Sequence, residues 1–229
     1  QSFAEEGEKW QGNVRLLFQP SEESWDKDGI SGATAMAQDE ALEDLEAVIA
    51  LHVGSRRPSG AVHFSDGYAL AAADMFYAYI RGDGGHGAYP HEGSDPLFML
   101  SAILPQIYGI PSRRVGPLES AVISLGSIQA GKAPNVIPGE VYLNGTIRTF
   151  KPEVRQQVFE ELEKVLKTAE LMGGSYELHI DEGYPSLYND RRVNDWMRQV
   201  TADLGIETYD YPGPMGMAGE DFAYMTQKA

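Results

Sequence analysis

The sequence contains no cysteine and no long apolar run, and each absence excludes a class of protein. Without cysteine, the 229 residues can hold neither a disulfide framework nor a thiolate metal site of their own. No apolar run approaches the ~20 residues that a helix needs to span a bilayer. No signal-peptide pattern opens the sequence. We therefore expect neither a disulfide-stapled domain nor a membrane-spanning one.

Basic residues are also scarce. Lysine and arginine total 18 against 34 aspartate and glutamate residues, which gives a formal net charge of -16. Nucleic-acid backbones and anionic membranes are bound through basic surface, so neither is expected as a partner. Apolar residues make up 42% of the sequence, as in ordinary globular proteins. The length allows one large domain or two smaller ones.

The first third of the sequence has the pattern of a strand, a helix and a second strand. Residues 13–19 and 46–53 are short, nearly continuous apolar runs, which is typical of strands covered on both faces. Residues 32–42 between them have helical composition, so we predict a βαβ unit in a parallel sheet. Ligands bind beyond the carboxyl ends of such strands. Three polar residues lie at those ends: Glu22, Glu23 and His52.

A different pattern begins near Asp74. It predicts four strands, over residues 75–81, 119–129, 139–150 and 175–180. It also predicts a helix over 95–113 and another that starts at Pro152 and ends at the glycine pair 173–174. Pro105 and Pro111 are expected to kink or shorten the first of these helices.

The order of these elements predicts the fold class. Strand, helix, strand, strand, helix, strand is the order of a split βαβ, ferredoxin-like domain. The sequence turns helical again from about residue 189 to 204. We therefore predict an α/β protein whose partial, discontinuous βαβ catalytic domain, residues 1–73 and 182–229, is interrupted by an inserted ferredoxin-like α+β domain at 74–181.

Seven phrases along the sequence resemble the zinc-dependent exopeptidase superfamily. The closest branch contains aminoacylases, hippurate hydrolases and plant auxin–amino-acid conjugate hydrolases. The phrases are FQPSEE (18–23), LHV (51–53), GGHGAYPH (84–91), the Asp95-Pro96 pair, SLGSIQAGKAPNVIP (124–138), GTIRTF (145–150) and GEDF (219–222). Their order and spacing match over essentially the whole sequence. The resemblance implies a catalytic domain with two divalent metal ions, zinc or manganese, and an inserted domain that forms a homodimer.

The resemblance implies separate roles for the two adjacent glutamates. Glu22 matches the family's general base, and Glu23 matches a metal ligand. A metal-bound water needs a base to take its proton, and a carboxylate held by a cation is a poor base. Taken without the other phrases, the pair would be better interpreted as two exposed glutamates in the first turn of a helix, and the other phrases in register reverse this preference.

Two histidines also match functional positions of the family. His52 matches a metal ligand, and a neutral imidazole suits zinc or manganese. His86 matches a histidine that reaches the active site of the partner subunit and stabilises the oxyanion of the tetrahedral intermediate. Each has a simpler interpretation: His52 as a strand-end histidine bonded to backbone, and His86 as a loop histidine in solvent.

Three further residues match positions near the family's substrate or metals. Arg148 and Asn135 match substrate contacts, and Arg148 would suit the carboxylate of an N-acyl amino acid through a bidentate fork. A surface ion pair and a turn residue are the simpler interpretations of these two. Glu220 is expected near the metals.

The resemblance implies metal-dependent hydrolysis of the amide bond of N-acyl amino acids or small acylated peptides. An aminopeptidase or a desuccinylase of the same superfamily is the alternative. LHV, where those branches have an aspartate, favours the first interpretation. A cytoplasmic location is expected, with an upstream targeting signal left open.

The sequence departs from the family at both ends. The family's upstream histidine and aspartate motif and its last histidine ligand have no counterpart here. Catalytic zinc uses about three protein ligands, so we expect a piece of a longer protein that is inactive by itself. A catalytically incomplete fragment that acts only as a dimerisation module is therefore the rival hypothesis.

Overall fold

The computed structural model of the chain describes residues 12–21, 29–54 and 59–228. The strands are β1 (Ala61–Ser65), β2 (Gly67–Leu70), β3 (Ala72–Arg81), β4 (Gly85–His86), β5 (Ala121–Ala130), β6 (Val136–Ile137), β7 (Glu140–Thr149), β8 (Ser175–Tyr184), β9 (Leu187–Asn189) and β10 (Glu207–Tyr211). The α-helices are α1 (Gly32–Gln38), α2 (Pro96–Arg113), α3 (Pro152–Leu166), α4 (Thr168–Leu171), α5 (Arg191–Asp203) and α6 (Phe222–Thr226). None of the described helices combines the length and apolarity that crossing a bilayer requires.

The largest sheet has four strands in the order β5-β7-β3-β8, and every neighbouring pair is antiparallel. With α2 following β3 and α3 following β7, this is the predicted ferredoxin-like topology. Buried and half-buried residues alternate along all ten positions of β3, because successive side chains of a strand point to opposite faces. The buried face packs against the helices, and the mixed α/β prediction is confirmed.

The core of this domain lies between the sheet and the helices. Phe76 of β3, Ile103 and Ile107 of α2, and Leu162 of α3 are all completely buried. The apolar side chains of α2 recur every three or four residues, which places them on the one face that meets the sheet.

The prediction that two prolines would kink or shorten α2 is wrong as to the length of the helix. The helix runs without interruption from Pro96 to Arg113 and contains both Pro105 and Pro111. Pro105 is exposed, so the backbone carbonyl that loses its partner faces solvent. The side-chain amide of Gln106 donates to the carbonyl of Ala102 at 2.8 Å, which satisfies one more acceptor of the same turn.

A buried ion pair ties the start of β3 to α3 and to the end of β8. Asp74 is completely buried, and the guanidinium of Arg155 donates to both of its carboxylate oxygens. The backbone N–H of Gly183 donates to Asp74 Oδ1 at 3.0 Å. Burial raises the pKa of Tyr224, whose hydroxyl donates to the carbonyl of Gly183 at 3.2 Å. The network therefore joins the inserted sheet to α6 of the flanking region.

The flanking segments form two small sheets. Strands β1 and β10 pair in parallel, and β2 pairs with β9 in antiparallel. Helix α1 is shorter than the predicted 32–42, because the chain passes into turns after Gln38.

The strands predicted at 13–19 and 46–53 are not found in the described part of the chain. Val14, Leu16 and Phe18 are 60%, 65% and 86% exposed, whereas Leu17 packs on a small cluster around Leu42. A strand requires hydrogen bonds to a neighbouring strand. These segments have no such neighbour among the described residues, so only one of their apolar faces is covered.

Candidate active site

Glu22 and Glu23 lie outside the described residues, but the chain on both sides of them is described. Ser21, immediately before them, has a positive φ of 48°. Only a few per cent of residues other than glycine adopt this conformation, and such residues cluster at active sites and at segments that bind ligands.

The segment before Ser21 is anchored to the GEDF motif. The side-chain amide of Gln19 donates to both carboxylate oxygens of Asp221, at 2.7 and 2.8 Å. The backbone N–H of Ala33, in the first turn of α1, donates to Asp221 Oδ2 at 3.1 Å. Asp221 is completely buried, so its carboxylate depends on these protein donors in place of water.

His52 is oriented by Glu220. Its Nδ1 lies 2.9 Å from Glu220 Oε2, and the side chains are 66% and 8% exposed respectively. A carboxylate accepts in such a contact, so the Nδ1–H of His52 donates. The Nε2 atom of the neutral ring then keeps its lone pair and is free to bind a cation.

Arg148, near the end of β7, lies beside the same motif. A Cβ built on Gly219 would lie 3.4 Å from Arg148 Nη1 and only 2.7 Å from the Cβ of Ala73. A larger residue than glycine would therefore push the motif away from the sheet. Within the described ranges, the guanidinium of Arg148 makes no hydrogen bond or ion pair, so it keeps its donors for another group.

His86 and Asn135 lie together in a second cluster. Strands β4 and β6 place His86 opposite Val136, and the N–H of Gly87 donates to the carbonyl of Asn135 at 2.8 Å. The N–H of Ala88 donates to His86 Nδ1 at 3.0 Å. In the neutral ring, the proton is therefore on Nε2, which makes this exposed histidine a hydrogen-bond donor.

The two clusters lie at opposite ends of the four-stranded sheet. Arg148 pairs with Ala73 at one end, and Glu140 pairs with Arg81 at the other. Eight residue steps along β3 correspond to about 27 Å, and His86 lies a further five residues beyond Arg81. Arg148 therefore lies at one end of the sheet, and His86 follows the strand end at the other.

The donors of the first cluster fit a divalent metal in kind. Ligating histidines commonly donate their other ring N–H to a carboxylate, which is the arrangement of His52 and Glu220. Across 12–21, 29–54 and 59–228, no group of three or more His, Cys, Asp or Glu residues is arranged to hold a metal. Among the described residues, His52 with its carboxylate partner therefore matches the kind of ligand that a divalent metal takes, without a complete ligand set.

Sequence reasoning missed the contact between Gln19 and Asp221, although it expected Asp221, like Glu220, near the metals. Both residues lie in phrases that carry the family resemblance, FQPSEE and GEDF, yet they are 202 positions apart. The two phrases were the available signal, but no pattern in the sequence indicates that these two residues are partners.

Residues 1–229 match the peptidase family M20/M25/M40. The N-acetyl-L-cysteine deacetylase of Bacillus subtilis (strain 168) is 38% identical over 216 residues, which cover 93% of this chain and 50% of that protein. The IAA-amino acid hydrolase ILR1-like 4 of Arabidopsis thaliana is 32% identical over 229 residues, which cover 97% of this chain and 51% of that protein.

A solved structure has the same fold. The YXEP protein of Bacillus subtilis, described as a dinuclear metal binding peptidase from the M20 family, superposes with a TM-score of 0.74 and 28% identity. The match covers 92% of this chain and 52% of that one. The chain therefore spans about half the length of the relatives that it matches.

Proposed function

We propose, since this chain belongs to the peptidase family M20/M25/M40, that the complete protein hydrolyses the amide bond of N-acyl amino acids or small acylated peptides in a metal-dependent reaction. One observation carries the proposal: Gly219 and Glu220 lie beside a free guanidinium, that of Arg148, and an oriented imidazole, that of His52. The first suits the carboxylate of such a substrate, and the second suits a metal. The likeness to a deacetylase and to an IAA-amino acid hydrolase supports the same substrate class.

His52 and Glu23, with further ligands, would hold the two divalent ions, either zinc or manganese. When bound, these ions supply Lewis-acid activation of the attacking water and of the scissile carbonyl. Glu220 lies behind His52 and holds the ring in the tautomer that leaves Nε2 free.

Four other side chains act on the substrate and its protons. Glu22 takes the proton of the attacking water and passes it to the leaving nitrogen. Arg148 receives the substrate carboxylate through two parallel N–H bonds, and Asn135 offers an amide to the polar groups of the substrate. His86 donates its Nε2–H to the oxygen of the scissile carbonyl, which gains negative charge during the attack.

The distance along the sheet supports a homodimer. Because Arg148 and His86 lie at opposite ends of β3 and β7, both can serve one substrate only if they come from different chains. We therefore propose that the inserted domain, residues 74–181, brings His86 and Asn135 to the site of a second copy, while residues 1–73 and 182–229 contribute to the site of their own chain.

Substitution of the two glutamates in the complete protein tests this proposal. Glu22→Gln should lower kcat by about 10²–10⁴-fold with both metals retained, because only the proton acceptor is lost. Glu23→Gln is the matched control and should lower the metal content instead. Metal analysis and turnover of N-acetyl amino acids measure the two effects.

A mixture of two inactive variants tests the shared site. Glu22→Gln and His86→Ala chains, refolded together, should recover activity, because a mixed dimer contains one site with both residues intact. If the mixture stays inactive while mixed dimers form, His86 does not serve the partner's site. If Glu22→Gln leaves turnover unchanged, the proposed role of Glu22 as base is wrong.

A further inference from the structure

We propose that Asp221 is a positioning residue, which fixes the chain on both sides of the Glu22–Glu23 pair through one buried carboxylate. What the pair does rests on the function proposed above. The position of its two flanks, Gln19 and Ala33, follows from the described contacts alone.

The side chain of Asp221 holds two separate elements. Gln19 ends the extended segment before the pair, and Ala33 lies in the first turn of α1, after the pair. Both donate to the carboxylate of Asp221, Gln19 at 2.7 and 2.8 Å and Ala33 at 3.1 Å. The thirteen residues between them therefore begin and end at one fixed point.

The same two flanks also pack closely against each other. A Cβ built on Gly32 would lie 1.6 Å from the carbonyl oxygen of Pro20, so only glycine fits there. The N–H of Gly32 also donates to the carbonyl of Ser21 at 3.4 Å, and Ser21 has a positive φ of 48°. A residue in this sparsely populated region persists only when its surroundings hold it there.

The donors around residue 221 suit an aspartate. Every donor at this point is an N–H group, and an ionised carboxylate offers acceptors on both oxygens. An asparagine would direct an NH₂ group at one of these donors and leave a buried donor without a partner. Because Asp221 is completely buried, water cannot replace the lost acceptor.

Asp221 is also joined to the metal-side cluster by a single peptide bond. Its neighbour Glu220 orients His52 at 2.9 Å, so one of two adjacent carboxylates contacts Gln19 and Ala33 and the other contacts His52. A displacement of this short stretch would move the flanks of Glu22–Glu23 and the ring of His52 together. Asp221 acts through these residues and does not itself touch the substrate.

The test uses the complete protein with Gln19→Met, which removes the donor and keeps the volume of the side chain. Asp221→Asn is the second variant, in case either one folds poorly. Hydrogen exchange of peptides covering residues 20–33 should become faster in both variants. The affinity for the metal ions, measured by titration against a chromophoric chelator, should fall about 10–100-fold, as for other partners of metal ligands.

Kinetics and a control distinguish positioning from general stability. The value of kcat should fall with the metal affinity, while KM changes much less, because Arg148 is untouched. The double variant should lose no more metal affinity and kcat than the more strongly affected single variant, since both substitutions remove the same contact. Gln156→Met, which removes an exposed amide that bonds to Glu160, should change neither exchange at 20–33 nor metal affinity.

Unchanged exchange at residues 20–33, or a lower melting temperature with normal metal affinity and kcat, would overturn the proposal. The exchange measurement requires neither metal nor substrate. If the unsubstituted protein hydrolyses no N-acyl amino acid, the proposed function fails, and exchange together with metal titration still decides the role of Asp221.

Discussion

The inserted sheet and the segments that flank it differ in how much of their own apolar surface they bury. In the described part of the chain, the four-stranded sheet and its helices enclose a single core of nineteen buried residues. The flanking segments have two clusters with three buried residues each. One face of residues 14–18 remains exposed, as do Leu51 and Val53 beside His52.

The candidate site residues therefore lie in surroundings that are packed very differently. The proposed base Glu22, the proposed metal ligand His52 and its partner Glu220 belong to the flanking segments, whereas the other candidates, Arg148, Asn135 and His86, belong to the inserted domain with its large core. An exposed apolar face gains stability only when further polypeptide covers it. The flanking segments should therefore be more sensitive to what surrounds them than the inserted domain is.

The largest expected effect comes from the ion pair where the two regions meet. Arg155→Leu leaves the buried carboxylate of Asp74 without its cation, which should lower the free energy of unfolding by about 3–5 kcal/mol. Urea denaturation measures the loss. The double variant with Asp74→Asn should lose less, because no buried charge remains. Equal losses would mean that the buried charge is not the cause.

A matched pair of core substitutions tests the comparison directly. Ile107→Ala in the large core should lower the free energy of unfolding by about 2–5 kcal/mol, toward the upper end because its site is fully enclosed. Leu42→Ala, in a cluster with three buried residues, should lower the free energy of unfolding clearly less, since the site can collapse or admit water. If denaturation gives the same loss for both, the flanking region is as well packed as the inserted domain.

The smallest effect is a pH dependence within the inserted domain. Hydrogen bonds from Arg114 and Lys164 lower the pKa of Glu161 from its ordinary value near 4.5 to about 2. A lowered pKa stabilises the fold at pH values above 4.5, and this contribution is lost as the pH falls toward 2. The gap in unfolding free energy between the unsubstituted protein and Glu161→Gln should therefore be largest above pH 4.5. A gap that stays constant down to pH 2 would show that the carboxylate charge contributes nothing.

Much of the inserted domain could be predicted because its signals are local. Alternation along 75–81 and the helical spacing after Pro152 follow from the geometry of one strand and one helix. The prolines of α2 were misjudged because sequence does not reveal that Pro105 lies on the exposed side. The apolar runs at 13–19 and 46–53 predicted strands, but an apolar run does not indicate whether a neighbouring strand is present.

The candidate site was predictable only in its parts. The family phrases identified His52, Arg148 and Glu220 as separate candidates. Their sequence positions do not reveal that His52 contacts Glu220 or that Arg148 lies beside Gly219, because these residues are far apart in the sequence. The link from Gln19 to Asp221 is of the same kind, because no rule of spacing connects a residue with another two hundred positions later. The separation of Arg148 from His86 required the register of β3 and β7, which residue patterns do not determine.

The way in which the inserted domain is attached has a consequence for how such a protein can arise. The chain enters the domain at the start of β3 and leaves it at the end of β8, where Ala73 and Tyr184 are paired neighbours. Just outside, β2 and β9 continue as an antiparallel pair. Because entry and exit lie side by side, the host chain accommodates more than a hundred residues as it would a long hairpin loop. An ancestor could therefore have acquired this whole module without rearranging a single strand of the host.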